Sequence, residues 1–442
     1  MSGADAASSF PRSANACRAD HKRGIKPPRR GSVTVLAETD RLSRHPAFMA
    51  FWVARVLSAL AFQIAGVVVG WMVYEKTADA YYLGYVGLCQ FLPMVLLTFV
   101  VGTLADRIDR RRIVIVCQSV AGLALALLAI GAATDTLSVG GIFVAVAVLG
   151  GARAFEHPTQ TALLPGLVPE HLLHRAIAMA TSAMQTATII GPALGGVLYV
   201  LGARAPLAIA ALSYLFAAAA MTTVRLERPA PRRDPVTLSS VFSGVGFVWS
   251  RPLILGALSL DLFAVLLGGA TALLPIFAAD VLHTGPWGLG LLRSAPAVGA
   301  IGMALLLAHV PMKKNVGLKM FAAVATFGLA TVVFSASTNL YLSLVALAVM
   351  GASDNVSVVV RQSLVQLNTP DEMRGRVSAV NSLFIGTSNQ LGEFESGMTA
   401  GLMGAVPAGI LGGVGTILVA LSWMWLFPAL RKADTLTGKN RA

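Results

Sequence analysis

Long apolar stretches separated by short polar segments follow one another along most of this chain. We count about twelve, near residues 48–74, 82–105, 113–133, 139–160, 173–201, 204–224, 253–280, 287–310, 318–337, 340–360, 376–403 and 407–429. Each is long enough for a helix that crosses a hydrocarbon core of ~30 Å. The pattern therefore predicts an all-α membrane protein with twelve transmembrane helices.

The distribution of charge supports a membrane topology. Apolar residues make up 56% of the 442 residues and charged residues 12%, whereas soluble domains carry about 25% charged residues. The net charge of +13 comes from Lys and Arg in the first 46 residues and in alternate loops, while the opposite loops hold only Lys76 and Arg204. This asymmetry predicts cytoplasmic termini and contact with a lipid membrane, not with nucleic acid.

One polar segment divides the chain into two halves. It contains Pro229, Pro231 and Pro235, which keep it out of a helix, and an amphipathic stretch at 236–251 that we expect on the inner membrane surface. The predicted parts are a disordered basic cytoplasmic tail (1–46), a six-helix bundle (47–224), a cytoplasmic linker (225–251), a second six-helix bundle (252–430) and a cytoplasmic tail (431–442).

An internal repeat supports this division. At an offset of 201 residues, identical or similar residues recur: Gly150 with Gly351, Pro169-Glu170 with Pro370-Asp371, Arg175 with Arg376, Gly191 with Gly392 and Gly196 with Gly397. Two similar six-helix halves are typical of secondary transporters, whose substrate cavity lies between the halves near mid-membrane. The repeat predicts two pseudo-symmetric bundles of this kind.

Several ionisable residues lie inside the predicted spans. A charge at the bilayer centre costs roughly 2.5–3.5 kcal/mol on insertion scales, so each needs a partner or a watery cavity. The candidates for cavity or coupling roles are Arg55, Arg153, Glu156, Asp261, Arg293, Asp354 and Glu393. Glu393 and Glu395 point to different faces of a helix, so we expect at most one of them to face the cavity.

The spacing of these residues leaves alternatives open. Arg153 and Glu156 are three residues apart and can form a structural ion pair, or they serve the cavity or gating. Asp354 occupies the repeat position of Arg153, which suggests complementary charges across the two halves. Asp261 either serves proton coupling or is neutralised by Arg293 or Arg55.

A charged loop joins the second and third spans. Gly102 lies four residues before Asp106, so a neighbouring helix can approach closely and Asp106 can pair with an arginine or cap a helix in the opposite half. The simpler alternative is a charged turn that fixes topology. The loop resembles the loop 2–3 signature of the major facilitator superfamily, which it matches at Gly102, Leu104, Asp106, Arg107, Arg110 and Arg111. Asp109 stands where that family has glycine. The resemblance implies a conformational latch.

A second signature lies in the fifth span. Gly191, Pro192, Gly195 and Gly196 combine a helix kink with small residues for close packing. They resemble the G-P-x-x-G-G part of a signature found in exporters of the superfamily, although Ala187 stands where the family's preceding glycine would lie. The resemblance implies export.

Further segments, including 45–48, 54–58, 161–165, 273–277 and 369–377, resemble the enterobactin-exporter-like branch of the superfamily, which includes macrolide-efflux-type proteins. The resemblance implies a monomeric secondary active transporter of the bacterial inner membrane. It would export a small siderophore-like or drug-like molecule by alternating access in antiport with protons.

Other classes of function have less support. The alternatives within membrane proteins are an importer of a small solute and a non-transporting receptor or assembly partner. The sequence has no Walker loop, no metal-ligand cluster and no nucleophile arrangement, so we predict neither an enzyme nor a cofactor or metal site.

Overall fold

The fold is known from a computed structural model, which describes residues 42–225, 238–310, 312 and 314–435. Within these ranges the side chains of residues 98–107, 238–242, 371, 372, 379 and 383 are not described. Most of the predicted tail at 1–46 and part of the predicted linker, residues 226–237, therefore lie outside the described residues.

The described chain is helical from end to end. The first group of helices is α1 (Pro46–Thr77), α2 (Ala80–Arg107), α3 (Arg110–Ala133), α4 (Val139–Leu163), α5 (Leu173–Leu198) and α6 (Arg204–Thr223). The second group is α7 (Leu238–Trp249), α8 (Pro252–Leu267), α9 (Leu274–Ile276), α10 (Gly285–His309), α11 (Val316–Ala336), α12 (Leu340–Leu367), α13 (Asp371–Met403), α14 (Ala405–Leu426) and α15 (Pro428–Arg431).

The prediction of a helical membrane protein is confirmed, but the count of twelve spans is not. In the described part of the chain, 11 helices or helical segments are long and apolar enough to cross a membrane. Among the twelve predicted spans, the one that is not included is the eleventh, which forms α13, a helix of 33 residues with several polar side chains. Helices suit this environment because they satisfy their own backbone hydrogen bonds where no water is available.

The outward faces of these helices are apolar, as contact with lipid requires. Leu127 on α3 is 70% exposed and Trp425 on α14 is 78% exposed. In a protein surrounded by water such side chains would form unfavourable patches. In a membrane they are solvated by lipid tails, so the exposed apolar surface fits the predicted location.

Each group of helices packs mainly within itself. In the first group α1 contacts α5 and α6, α3 contacts α4 and α6, and α2 contacts α4. In the second group α10 contacts α12, α11 contacts α12 and α14, and α8 contacts α13 and α14. Two large contacts join the groups, α2 with α13 and α5 with α10.

The seventh predicted span is broken near its middle. Regular helix ends at Leu267, and the chain continues through a 3₁₀ turn, α9 and a π-helical turn over Phe277–Val281. Close packing occurs at the break, where a Cβ on Gly268 would lie 2.6 Å from the Phe327 ring. Such π-helical turns are rare and often occur at functional sites.

Two segments outside the long helices pack against the rest of the chain. The amphipathic stretch forms α7, which packs against α13 and α8; Gly244 lies so close to α13 that a Cβ would be 3.0 Å from the Arg376 carbonyl oxygen. The predicted C-terminal tail is in part ordered structure. Gly317 N–H, at the start of α11, donates to the Ala433 carbonyl at 3.0 Å. This segment therefore caps a helix whose first N–H groups would otherwise lack partners.

Candidate functional site

The interface between the two groups of helices is closed at one end of the molecule. It lies at the end where α1 and α5 finish and where α2 and α10 begin, opposite the Gly102–Arg112 loop. Gly84 of α2 lies against Gly397 of α13, and Gly196 of α5 lies against Gly290 of α10. Glycines let helix backbones approach this closely, so larger residues at these crossings would push the groups apart.

The repeat-related glycines make equivalent contacts in the two groups. Gly150 of α4 packs on the α2 backbone and its counterpart Gly351 of α12 packs on the α10 backbone. Gly191 of α5 packs on α1 and Gly392 of α13 packs on α8. Gly196 and Gly397 each pack on a helix of the other group. The spacing detected in the sequence thus corresponds to three pairs of similar helix crossings.

The remaining glycine of the fifth-span signature also packs tightly. A Cβ on Gly195 would lie 3.2 Å from the Ile64 carbonyl oxygen of α1. Since Gly196 faces α10, the two adjacent glycines place α5 between α1 and α10. The signature therefore lies in the contact between the two groups of helices.

Polar contacts also cross this interface. The Tyr74 hydroxyl at the end of α1 donates a hydrogen bond to the Asp280 carboxylate in the π-helical turn. The Ser294 hydroxyl of α10 donates to the Ile189 carbonyl of α5 at 2.7 Å. Sequence analysis did not select any of these residues, because each has an ordinary position within or beside an apolar stretch.

Arg293 and Glu393, two of the predicted coupling candidates, meet at the interface. Arg293 Nη1 donates to the Gly66 carbonyl of α1 at 2.9 Å. Glu393 is the acidic neighbour of Arg293, and its Cβ lies 2.9 Å from where a Cβ would stand on Gly87 of α2. An arginine of the second group therefore binds a backbone carbonyl of the first group and lies near an acid of its own group.

Glu395 faces a different environment. The Thr399 hydroxyl, one turn further along α13, donates to its carboxylate at 2.8 Å. The Glu395 carboxylate therefore has a hydrogen-bond partner within its own helix.

A cluster of buried charges lies within the first group. Glu156 of α4 is 1% exposed and accepts hydrogen bonds from Gln118 Nε2 at 3.0 Å and Gln160 Nε2 at 2.9 Å. Arg153 stacks over the Phe62 ring, with 4.5 Å between the guanidinium carbon and the ring centroid. The ion pair that the Arg153–Glu156 spacing allows is therefore not formed.

Arg55 belongs to the same cluster, since both Arg153 and Glu156 act on it electrostatically. Its Nε is buried and has no hydrogen-bond partner among the residues that the structure describes. With two arginines and one glutamate, the cluster has a formal charge of +1.

A second cluster lies within the second group. Asp261 of α8 forms a buried ion pair with Arg361 of α12. The prediction that Arg293 or Arg55 neutralises Asp261 is wrong, because Arg293 binds Gly66 and Arg55 lies beside Arg153. Asp354 lies near this pair, so the cluster has two aspartates, one arginine and a formal charge of −1.

Arg361 was missed because the tenth span was ended at residue 360, seven residues before the helix ends. We assigned residues 361–376 to a cytoplasmic loop, whereas α12 continues to Leu367 and Arg361 is only 2% exposed. The apolar pair Leu364-Val365, one turn beyond Arg361, is the signal that could have extended the helix.

The loop after α2 is described only in part. Gly102, Asp106 and Arg107 of the predicted latch have side chains outside the described part. Asp109 directly precedes α3, and its carboxylate accepts a hydrogen bond from the Arg111 N–H at 2.9 Å, which is the geometry of a helix N-cap. An acid thus fills the position where the family signature has glycine.

Two arginines of the predicted latch have described side chains, and both bind carbonyls of the first group. Arg110 Nη1 donates to Ala162 near the end of α4 at 3.3 Å, and Arg111 Nη1 donates to Val224 just after α6 at 2.7 Å. A cation near a helix C-terminus interacts favourably with the helix dipole. Both contacts stay within the first group.

Residues 42–441 match the transmembrane secretion effector family, and the chain belongs to this family of major facilitator superfamily transporters. It is therefore a multi-pass membrane transporter and not an enzyme, with a small molecule as its substrate.

Two curated relatives cover nearly the same length. The chain is 27% identical over 396 residues to the enterobactin exporter EntS of Citrobacter koseri, covering 88% of this chain and 94% of that protein. It is 28% identical over 415 residues to the multidrug efflux pump Tap of Mycobacterium bovis, covering 89% and 96%. Both relatives are exporters.

Solved structures share the fold. A bacterial homologue of the human lysosomal transporter Spinster, inward-facing and unoccupied, has a TM-score of 0.69 at 13% identity and covers 89% of this chain and 97% of that one. A bacterial homologue of the iron transporter ferroportin, inward-facing, has a TM-score of 0.66 at 16% identity, with 87% and 99% covered. The predicted superfamily fold is confirmed.

Proposed function

We propose that this protein exports an amphipathic organic molecule across a bacterial inner membrane, by alternating access and in antiport with protons. The observation that carries the proposal is the interface closed at one end. It consists of glycine crossings and a few polar contacts between groups of helices that otherwise pack within themselves. An interface of this kind can separate without unfolding either group.

The charged loops indicate which side of the membrane the closed end of the interface faces. The positive-inside rule places the Arg-rich loop after α2 and both termini in the cytoplasm. The closed end then faces the periplasm, and the protein would be in an inward-facing state.

We also propose roles for the buried charges and for the charged loop. The cluster of +1 in the first group and the cluster of −1 in the second group would act as the complementary charges that the Arg153–Asp354 repeat position suggests. Arg293 with Glu393 would respond to the coupling proton at the interface. Asp106 with Arg107, Arg110 and Arg111 would form the latch that holds the cytoplasmic end closed when the periplasmic end opens. We expect a monomer to be sufficient.

The cargo is proposed from the relatives, a siderophore-like molecule first and a drug-like molecule second, since one relative is an enterobactin exporter and another a multidrug efflux pump. In the native host, the gene would be deleted and siderophore measured in cells and medium under iron limitation. Retention inside the deletion strain supports siderophore export.

The same two strains distinguish siderophore export from the other candidate functions. Accumulation of erythromycin in the deletion strain, reproduced in wild type by a protonophore, would identify drug efflux instead. If neither compound changes between the strains, the export proposal is wrong for both classes, and import or ligand sensing takes its place.

A further inference from the structure

A small cavity lies inside the second group of helices, away from the interface between the groups. It is lined by Asp261 of α8, by Phe327 of α11 and by Ser353, Asp354 and Ser357 of α12, among others. Its volume is about 10 Å³, which leaves room for about one water-sized occupant. Ser353 and Ser357 are four residues apart, so both hydroxyls lie on one face of α12.

The charge in this cavity is not balanced by the protein. Asp261 is paired with Arg361. Asp354 makes no hydrogen bond or ion pair with any residue that the structure describes, and the ionisable groups that act on it are Asp261 and Arg361. The other helices packed on α12 here contribute uncharged groups, Phe327 from α11 and Pro296 from α10. A net negative charge at this depth calls for a positively charged occupant.

A second observation points to the same occupant. Ser357 is only 2% exposed. Its hydroxyl lines the cavity but has no hydrogen-bond partner in the described part of the chain. Buried hydroxyls in folded proteins are almost always hydrogen-bonded. A bound ion would explain the exception, because a hydroxyl oxygen can ligate a cation.

We propose that this cavity binds one small monovalent cation, Na⁺ or a hydrated proton. The donors are carboxylate and hydroxyl oxygens, which suit hard cations. A single positive charge neutralises Asp354, whereas a divalent ion would leave an excess charge of the opposite sign. This site goes beyond the proposed transport function, in which the coupling proton acts on Arg293 and Glu393, and cation binding in the cavity does not require transport.

Binding is measured on the purified full-length protein in lipid nanodiscs without substrate. The thermal unfolding midpoint is recorded at increasing NaCl, with choline chloride keeping the ionic strength constant, and ²²Na⁺ binding is measured directly. The titration is repeated between pH 5.5 and 8.5. A ligand that binds only the folded protein raises its stability with concentration.

Three variants test whether the cation binds in this cavity. Asp354→Asn removes the unbalanced charge at nearly constant size, and Ser357→Ala removes the unpartnered hydroxyl. Glu395→Gln is the control, because that carboxyl is bonded to Thr399 outside the cavity. For a Na⁺ site we expect saturable stabilisation by Na⁺ that Asp354→Asn abolishes, Ser357→Ala weakens at least threefold in affinity and Glu395→Gln leaves unchanged.

For a proton site, Na⁺ has no effect, and the pH dependence of the midpoint is lost in Asp354→Asn and displaced in Ser357→Ala. If Asp354→Asn fails to fold, the Ser357→Ala comparison decides alone. The proposal is overturned if wild type and the folded cavity variants respond identically to both Na⁺ and pH. Cation binding in a protein that moves no substrate would instead contradict the transport proposal.

Discussion

The hydrogen bond between Tyr74 and Asp280 gives the sharpest test of the closed interface. It joins two residues 206 positions apart in the chain, one from each group of helices. Tyr74→Phe removes the hydroxyl and keeps the ring. If the two groups separate at this end during transport, the substitution destabilises only the state in which they are closed.

The expected magnitude follows from the kind of bond. A hydrogen bond to a charged group contributes about 1.5–3 kcal/mol to stability, and an ordinary one about 0.5–1.5 kcal/mol. Asp280 is exposed to water, so we expect about 1–2 kcal/mol, which changes the ratio of closed to open molecules roughly 5- to 30-fold.

Tyr199 provides a matched control. Its hydroxyl donates to the Glu75 carboxylate at 2.6 Å, so it is also a tyrosine–carboxylate bond at the same end of the molecule. Tyr199 and Glu75 both belong to the first group, however. Tyr199→Phe therefore removes a comparable bond without affecting the contact between the groups.

Pulsed electron paramagnetic resonance would report the populations. Spin labels at Thr136, after α3, and at Thr338, before α12, are exposed and lie in loops of different groups at this end. With the native cysteines replaced, we expect Tyr74→Phe to increase the fraction of long distances and Tyr199→Phe to leave it unchanged. Equal shifts in the two variants, or no shift in Tyr74→Phe, would refute the reasoning.

Three other substitutions test separate parts of the account. Asp106→Asn should abolish transport while expression and membrane insertion stay normal, and normal transport would contradict the latch. Gly397→Val should reduce transport severalfold because a Cβ would collide with the α2 backbone, whereas Gly302→Val, with no atom within 4 Å of its Cβ, should have no effect in the same assay. Arg361→Met should lower the free energy of unfolding by about 3–5 kcal/mol because it leaves the Asp261 charge buried without a partner. A thermal unfolding midpoint equal to that of wild type would disprove that pairing.

The sequence was sufficient to predict the helices and the family because both depend on patterns along the chain. Apolar length predicts spans, and the 201-residue repeat indicates two similar halves. The repeat glycines were detected by spacing alone, and the structure shows why they recur, since Gly196 and Gly397 make corresponding crossings between the groups.

The partners of the buried charges could not be predicted in the same way. Hydropathy does not say which face of one helix meets which face of another, so Gln118 was not recognised as a partner of Glu156. Arg361 was missed because the predicted end of its helix, residue 360, lies seven residues before the observed end, which moved a buried cation into a loop. The Tyr74–Asp280 bond belongs to one arrangement of the two groups, and nothing in the sequence specifies that arrangement.

The direction of transport is the central claim, and flux in everted membrane vesicles tests it most directly. In such vesicles the cytoplasmic face points outward, so an exporter accumulates its cargo in the lumen. With the lumen acidified and enterobactin or erythromycin supplied outside, we predict uptake of one of the two that a protonophore abolishes and that Asp106→Asn vesicles lack. Accumulation of these compounds only in right-side-out vesicles, driven by the same gradient, would show that the protein is an importer and would contradict the account.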